Sequence, residues 1–314
     1  AEAIARRKAG AAAKGSTLYV TLEPCLHTNK RTPPCTPMVI SSGVKRVVVG
    51  MIDPNPQVSG GGIKAIRKAG IEVVTGILKA EAERLNEAFV KHMKTGIPFV
   101  TMKIAQTLDG KIATASGESK WITGPDAREA GHYLRDINDA ILVGVNTVLK
   151  DDPRLSTRIP GGRDPIRIIV DSTLRTPLHA KIITQRSSAK TVIATVPGAP
   201  KARMKRLQDA GAEVLVIRSL GGRVDLKDLM RKLGKRDIQS VLIEGGAEVH
   251  ASALKAGIVD KGVLFIAPML MTGRDSLPSI GGKSPVKLSQ AIQFSEAEVD
   301  TVGDDLMVEG YISK

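Results

Sequence analysis

The chain has 314 residues, 42% hydrophobic and 25% charged, a globular composition for roughly two domains that excludes a fibrous or disordered polypeptide. Lys and Arg number 46 against 32 Asp and Glu, and the resulting charge of +14 favours anionic partners. One Trp, three Tyr and four Phe are too few for the stacking platforms of a single-stranded nucleic-acid binder, so phosphorylated small molecules are the preferred partners and nucleic acid is not expected. No run approaches the roughly 18 consecutive apolar residues of a membrane helix, so no membrane partner is expected. Two cysteines build no disulfide framework and no signal-peptide pattern is read, which makes a reducing cytoplasm the expectation.

Ala1 to Lys14 reads as a helix, and with Ala rather than Met at position 1 the expectation is a missing original N-terminus. Thr17 to Thr21 reads as a buried strand, Pro34 to Ser42 as a short helix and Arg46 to Met51 as a second strand. A helix over Gly61 to Ala69, a strand over Ile71 to Val74 and a longer helix over Lys79 to Lys94 complete a first series. The Gly96-Ile97-Pro98 break divides a domain at 1–95 from a second at 96–314. In the second, strands are expected at Phe99 to Ile104, Ala140 to Val143, Ile166 to Asp171, Thr191 to Ala194, Glu213 to Ile217, Val241 to Glu244 and Gly262 to Ile266, with a last one at Leu306 to Ile312. Helices fall between them at Asp126 to Asn138, Lys201 to Ala210, Leu226 to Leu233 and Ala247 to Ala256. Such alternation predicts layered α/β units with mostly parallel strands.

Three clusters carry chemistry. In the first, Thr21-Leu22-Glu23-Pro24-Cys25 is followed by Thr32-Pro33-Pro34-Cys35. Two thiolates beside rigid prolines suit tetrahedral zinc with one further protein ligand and an open position; two buried structural thiols are the alternative. Zinc deaminases carry H-x-E…P-C-x-x-C, and Ala1-Glu2 reads as the end of a His-Ala-Glu whose His lies before residue 1. His27 is close enough in sequence to act as a substitute ligand, a substrate contact or a solvated loop residue. The loop Asp53-Pro54-Asn55-Pro56 follows a strand and reads as a Pro/Asn turn.

The second cluster runs from Thr101-Met102-Lys103 through Leu108-Asp109-Gly110-Lys111 to Ser119-Lys120-Trp121-Ile122-Thr123-Gly124, setting the only Trp in a polar loop. Loop residues beyond Ala140 to Val143 continue it: Gly144-Val145-Asn146-Thr147-Val148, then Asp151-Asp152-Pro153-Arg154-Leu155-Ser156-Thr157-Arg158. Ligands of α/β sheets bind beyond strand ends, where hydroxyls and an Arg can grip a phosphate. In the third, Val241-Leu242-Ile243-Glu244-Gly245-Gly246 leads a strand into a helix and turns bare backbone N–H groups toward a pocket, a seat for pyrophosphate. It is not G-x-G-x-x-G, so a Rossmann domain is not supported.

LEPC…TPPC, L-D-G-K, S-K-W-I-T-G, G-x-x-T-V…D-x-P-x-L…R and I-E-G-G occur in the order of the bifunctional riboflavin-biosynthesis deaminase–reductase family, which the whole chain resembles. The resemblance implies a cytidine-deaminase-like α/β/α layer domain followed by a dihydrofolate-reductase-like α/β domain. It implies zinc-dependent deamination of 2,5-diamino-6-ribosylamino-4(3H)-pyrimidinone 5′-phosphate, then NADPH-dependent reduction of the phosphoribosylamino group to ribitylamino. By position, it gives Cys25 and Cys35 to zinc, Glu2 to proton transfer, and Asp53 and Asn55 to the deaminase substrate. A substrate-binding lysine falls at Lys30 or Arg31.

For the reductase, the resemblance gives Lys103, Ser119, Leu155, Arg158 and Glu244 to the substrate, with Lys103 and Glu244 flanking the reacting sugar. It gives Ala105, Trp121, Thr147, Asp151, Ser172 and the turn Gly246, Ala247, Glu248, Val249, His250, Ala251 and Ser252 to NADPH. It also implies a homo-oligomer, a dimer or tetramer. With the zinc-ligand His absent, the chain is expected to be an impaired deaminase, the alternative being a reductase whose front domain is a scaffold. A nucleic-acid binder of deaminase fold is the rival that the positive charge motivates.

Overall fold

Alternating apolar runs and helix formers give two units in the computed structural model, Ala1–Gly96 and Ile97–Lys314, with residues 2–28 and 32–313 described. In the front unit, β1 (Thr17–Leu22), β2 (Arg46–Met51) and β3 (Glu72–Thr75) form a parallel sheet in the order β1-β2-β3. Its helices are α1 (Glu2–Ala9), α2 (Cys35–Ser41), α3 (Gly61–Lys68), α4 (Lys79–Leu85) and α5 (Glu87–Thr95). β2 is the central strand, and its Val47 and Val49 are buried with Val39, Ile63 and Ile66, as a parallel strand covered on both faces requires.

The single helix expected over 79–94 is corrected to two. Asn86 leaves helical geometry at φ −111°, ψ 18°, and its amide donates to the Ala82 carbonyl at 2.7 Å. An Asn side chain competes with the backbone for that acceptor, and the helix restarts at Glu87.

The rear unit opens with β4 (Phe99–Thr107), β5 (Lys111–Ala113) and α6 (Pro125–Ile137), then β6 (Ala140–Gly144), α7 (Val145–Asp151) and β7 (Ile166–Val170). Next come α8 (Lys181–Thr184), β8 (Thr191–Thr195), α9 (Lys201–Asp209), β9 (Glu213–Val216), the small pair β10 (Ser219–Leu220) and β11 (Arg223–Val224), and α10 (Leu226–Gly234). The unit closes with β12 (Ser240–Ile243), α11 (Ala247–Lys255), β13 (Lys261–Ala267), β14 (Leu277–Pro278), β15 (Phe294–Val302) and β16 (Asp305–Ile312).

Among the described residues these build a nine-stranded sheet in the order β15-β16-β13-β4-β12-β6-β7-β8-β9. β13 through β9 run parallel, and β16 and β15 add an antiparallel edge. The inner strands β4, β12, β6, β7 and β8 are buried on both faces, under one cluster around Met102, Leu142 and Leu229 and another around Ile141, Ile169 and Leu207.

The insertion of β12 between β4 and β6 positions the site. β4 pairs with β12 at Met102↔Ile243, so Lys103 and Glu244 are each one residue beyond that pair. Several features depart from the sequence reading, three of them near the site or at the sheet edge. β4 extends to Thr107 because β13 pairs along it as far as Ala267. The segment after Gly144, read as a loop, is α7. β15 was not anticipated: its charged residues are exposed and only β16 pairs with it, so it has no buried face to give an apolar period.

Candidate active site

In the front unit, β1 runs into the loop that carries Glu23, Pro24 and Cys25, while Cys35 opens α2. The Cys35 backbone N–H points at Cys25 Sγ at 3.4 Å, so the two half-buried cysteines are neighbours. Glu23, only 2% exposed, ties this loop to the next: Oε2 accepts from the Asp53 and Gly60 N–H groups at 3.2 and 2.8 Å, and Oε1 accepts from Ile63 N–H at 3.1 Å. The sequence reading gave Glu23 no role, although a carboxylate at a buried strand end was the available signal.

Asp53 Oδ1 accepts from Asn55 N–H at 2.8 Å and Asn55 Oδ1 from Gln57 N–H at 3.0 Å, so both build the turn they lie in. Burial pushes the Asp53 carboxyl up, partly offset by the Asn55 N–H and by His27, while Glu23 adds to the rise. His27 Nδ1 is buried and, among the described residues, has no hydrogen-bond partner. Glu2 opens α1, half-buried. Lys30 and Arg31 lie outside the described residues.

Two thiols fall one short of the three protein ligands of a catalytic zinc, and among the described residues no group of three His, Cys, Asp or Glu side chains is placed to hold a metal.

The rear site is built where β4 and β12 lie side by side. Glu244 is clamped by Arg135 of α6: Nε donates to Oε1 at 2.7 Å and Nη2 to Oε2 at 2.6 Å, with the side chains 7% and 16% exposed. Arg135 Nη1 also donates to the Ser156 carbonyl at 3.1 Å, joining α6 to the segment that holds Leu155 and Arg158. Burial pushes the Glu244 carboxyl up, but Arg135, Lys103 and His132 outweigh it and hold it below the usual range. Burial and the Arg135 charge lower the Lys103 ammonium, against the pull of Glu244. Lys103 Nζ is 5.6 Å from the centre of the Phe265 ring, and a Cβ on Gly131 of α6 would lie 3.6 Å from it.

Arg135 and His132 were missed by the sequence reading. A signal existed: Ala127 and Gly131 are buried on α6, and Arg135 is the next residue at the same four-residue spacing, a cation on an inward stripe. His132 is lowered by burial and by Arg135 and Arg158, which brings exposed Arg158 to the same cluster. Leu155 is buried at φ 53°.

The residues expected at a dinucleotide lie on several elements of the rear unit. Gly246, at φ 82°, turns β12 into α11, and a Cβ at Gly245 or Gly246 would come to 3.4 Å from Thr147 Oγ1 on α7. The bare turn leaves a helix N-terminus open to close approach, which fits a pyrophosphate. Trp121 is 65% exposed, with the Arg128 guanidinium 4.7 Å from its ring centre and Arg128 Nη1 donating to Thr123 O at 2.7 Å. Burial raises the Asp151 carboxyl, and Lys120 and Lys150 pull it back, so the loop of half-buried Ser119 and exposed Trp121 reaches the end of α7. Ser172 follows β7, its Oγ accepting from Val224 N–H at 3.1 Å. Ala105 packs with Ala127, Val263 and Phe265 under α6. Along α11, Glu248 is exposed, Ala247 and His250 are buried, and Val249, Ala251 and Ser252 are partly covered.

Residues 1–51 match the cytidine and deoxycytidylate deaminase zinc-binding region, and residues 98–308 match the RibD C-terminal domain. The riboflavin biosynthesis protein RibD of Actinobacillus pleuropneumoniae is 44% identical over 295 residues, which cover 94% of this chain and 78% of that protein. A solved form of Acinetobacter baumannii RibD is similar over 100% of this chain and 85% of its own, with a TM-score of 0.87 and 37% identity. The diaminohydroxyphosphoribosylaminopyrimidine deaminase/5-amino-6-(5-phosphoribosylamino)uracil reductase of Thermotoga maritima is similar at a TM-score of 0.82 and 35% identity, over 100% of this chain and 84% of that one.

Proposed function

The chain belongs to the RibD family of bifunctional riboflavin-biosynthesis enzymes, and from that premise we propose that its rear unit reduces 5-amino-6-(5-phosphoribosylamino)uracil with NADPH at the Lys103–Glu244 cluster. The observation that carries this reading is the side-by-side placement of Lys103 and Glu244 beyond the Met102↔Ile243 pair, with Glu244 held by both arms of Arg135.

NADPH, when bound, supplies the hydride for C1′ of the sugar. The Gly245–Gly246 turn and the first turn of α11 receive its pyrophosphate, with Ala105, Trp121, Thr147, Asp151 and Ser172 around it. Arg158 binds the substrate phosphate, and Ser119 and Leu155 line the same side. Reduction takes up one proton with each hydride, and Lys103 Nζ holds that proton beside the sugar; burial weakens its grip and makes it a better donor. Glu244, kept ionised by Arg135, holds the positive charge of Lys103 in place.

The test is steady-state kinetics of Lys103 variants. Lys103→Ala is expected to lower kcat/KM for the uracil substrate by about 10²–10⁴-fold while NADPH affinity stays within twofold. The rate should fall as pH rises through the lowered Lys103 value, where the proton is lost. Lys103→Arg, which keeps its proton, should move that fall to higher pH. Equal losses of substrate and NADPH binding in Lys103→Ala would count against the assigned role.

The front unit is a zinc-type deaminase domain, for which the reading places Cys25 and Cys35 at the metal, Glu2 at proton transfer and Asp53 and Asn55 near the substrate. With two thiols and no third ligand among the described residues, the 314-residue chain is a weak deaminase on this reading. A cytoplasmic homo-oligomer completes the reading; among the described residues no helix is long and apolar enough to cross a membrane.

A further inference from the structure

Arg158 is exposed on the loop from α7 to β7, so the direction in which its side chain is presented is set by the backbone beneath it. The peptide that joins Ser156 to Thr157, just ahead of it, is held at both ends. Its carbonyl accepts from Arg135 Nη1 at 3.1 Å, the same guanidinium that clamps Glu244, and its N–H donates to Asp164 Oδ1 at 2.9 Å. The loop then folds back on itself: Thr157 Oγ1 donates to the Arg163 carbonyl at 2.9 Å, and Gly162 N–H donates to the Ile159 carbonyl at 3.1 Å.

Asp164 is itself fixed from below. Its Oδ2 accepts from Ser187 Oγ at 2.7 Å, and that hydroxyl accepts from Arg167 Nη1 and Ala189 N–H, each at 3.2 Å. Arg167, on β7, is 3% exposed, and its other nitrogens donate to Thr191 Oγ1 at 2.9 Å and to the Ala189 carbonyl. A buried cation needs a compensating anion within reach, and the relay through Ser187 makes Asp164 that group. Burial lowers the Arg167 guanidinium, and the Asp164 charge opposes the fall. One oxygen of Asp164 is thus tied to the sheet and the other to the loop that carries Arg158.

We propose that Asp164 is a positioning residue for the substrate phosphate: by holding the Thr157 N–H it sets the Ser156–Thr157 peptide, and with it the reach of Arg158, relative to the Arg135–Glu244 pair. It acts through Arg158 and touches no substrate. The assignment rests on the reductase reading above, in which Arg158 takes the phosphate, and adds to it the residue that aims that arm. Its effect belongs to binding, because a loop ordered during folding need not be ordered again at each encounter with substrate.

Two substitutions grade the contact. Asp164→Asn keeps the shape but offers one acceptor oxygen to two donors, and Asp164→Ala offers none. Each is made alone and together with Arg158→Ala in the 314-residue chain. NADPH oxidation with 5-amino-6-(5-phosphoribosylamino)uracil is followed at a temperature where circular dichroism shows every variant folded, and quenching of the single tryptophan reports NADPH affinity. Should Asp164→Ala not fold, Asp164→Asn alone decides.

The loss of a hydrogen bond to a charged group is expected to raise KM for the uracil substrate about tenfold in Asp164→Ala, and about threefold in Asp164→Asn. Both variants should keep kcat and NADPH affinity within about twofold, since preorganisation for binding is what is removed. With Arg158→Ala already present, neither should raise KM further by more than about twofold, because residues that act as one unit are not additive. Unchanged KM in the Asp164 variants, an equal rise with and without Arg158, or a kcat that falls as far as KM rises, overturns the assignment. Unchanged KM in Arg158→Ala alone removes the phosphate ligand, and the Asp164 role with it, while the reductase reading stands. An unsubstituted chain that does not oxidise NADPH with this substrate overturns that reading itself.

Discussion

Asp109 carries a larger load than its turn position implies. Its Oδ1 accepts from Thr107 Oγ1 at 2.6 Å and from Met271 N–H at 3.0 Å, and its Oδ2 accepts from Thr272 N–H at 2.8 Å. One carboxylate therefore fixes the segment after β13 against the end of β4. The Thr107 hydroxyl first, and the Met271 and Thr272 N–H groups with it, hold the carboxyl down to about 2, below its ordinary 3.8. A depressed acid contributes stability that is present above its unfolded value and is lost as pH falls through the folded one. Melting temperature is thus expected to drop between about pH 4 and pH 2 more steeply in the unsubstituted chain than in Asp109→Asn, which has no charge to lose there. Parallel curves for the two proteins would show that the anchor contributes nothing through its charge. At neutral pH, Asp109→Asn should melt lower, because its amide presents N–H to donors. The L-D-G-K motif was legible in the sequence, but this anchoring was not, since Met271 and Thr272 are more than 160 positions away.

At the scale of elements, the turn from β12 into α11 is held against the end of β6 by close approach. Gly144 N–H points to the Gly245 carbonyl at 3.4 Å, and a Cβ on Gly144 would come within 2.7 Å of Val249 Cγ2. Gly144→Ala is expected to cost about 1–3 kcal/mol, read by chemical denaturation, as overpacking does. Val249→Ala should recover part of that loss in the double variant, because it removes the atom that is met. Full additivity of the two losses would place the strain elsewhere.

The elements here were largely legible, since β6 and β12 are continuous apolar runs that end at glycines and α11 is flanked by them. What lay beyond reading was pairing. Nothing local indicates that β12 inserts between β4 and β6, and it is that insertion which sets Lys103 beside Glu244. The resemblance named those two residues but left unnamed the Arg135 clamp, which only the packing of α6 over β4 supplies. β15 was invisible for the opposite reason, an exposed edge strand having no buried face to give it a period.

For the whole molecule, each unit has a hydrophobic core of its own, around Val47, Val49 and Ile66 in front and around Met102, Leu142 and Ile169 behind. Two chemistries with different demands are thereby kept on separate scaffolds. The front one needs a metal with three protein ligands, and the described residues place two thiols together with no third ligand. Losing even an outer partner of a metal ligand weakens binding by about 10- to 100-fold, and a missing direct ligand removes more. The 314-residue chain is therefore expected to retain well under one zinc per chain after dialysis, measured by atomic absorption, and to release ammonia from the pyrimidine substrate slowly. On the proposed reading the rear chemistry draws on Lys103, Glu244 and Arg135 and on no metal ligand, so chelation should leave NADPH oxidation with the uracil substrate unchanged. One tightly held zinc with rapid ammonia release would mean that a third ligand comes from outside the residues described. Loss of NADPH oxidation on chelation would mean that the two units do not act independently.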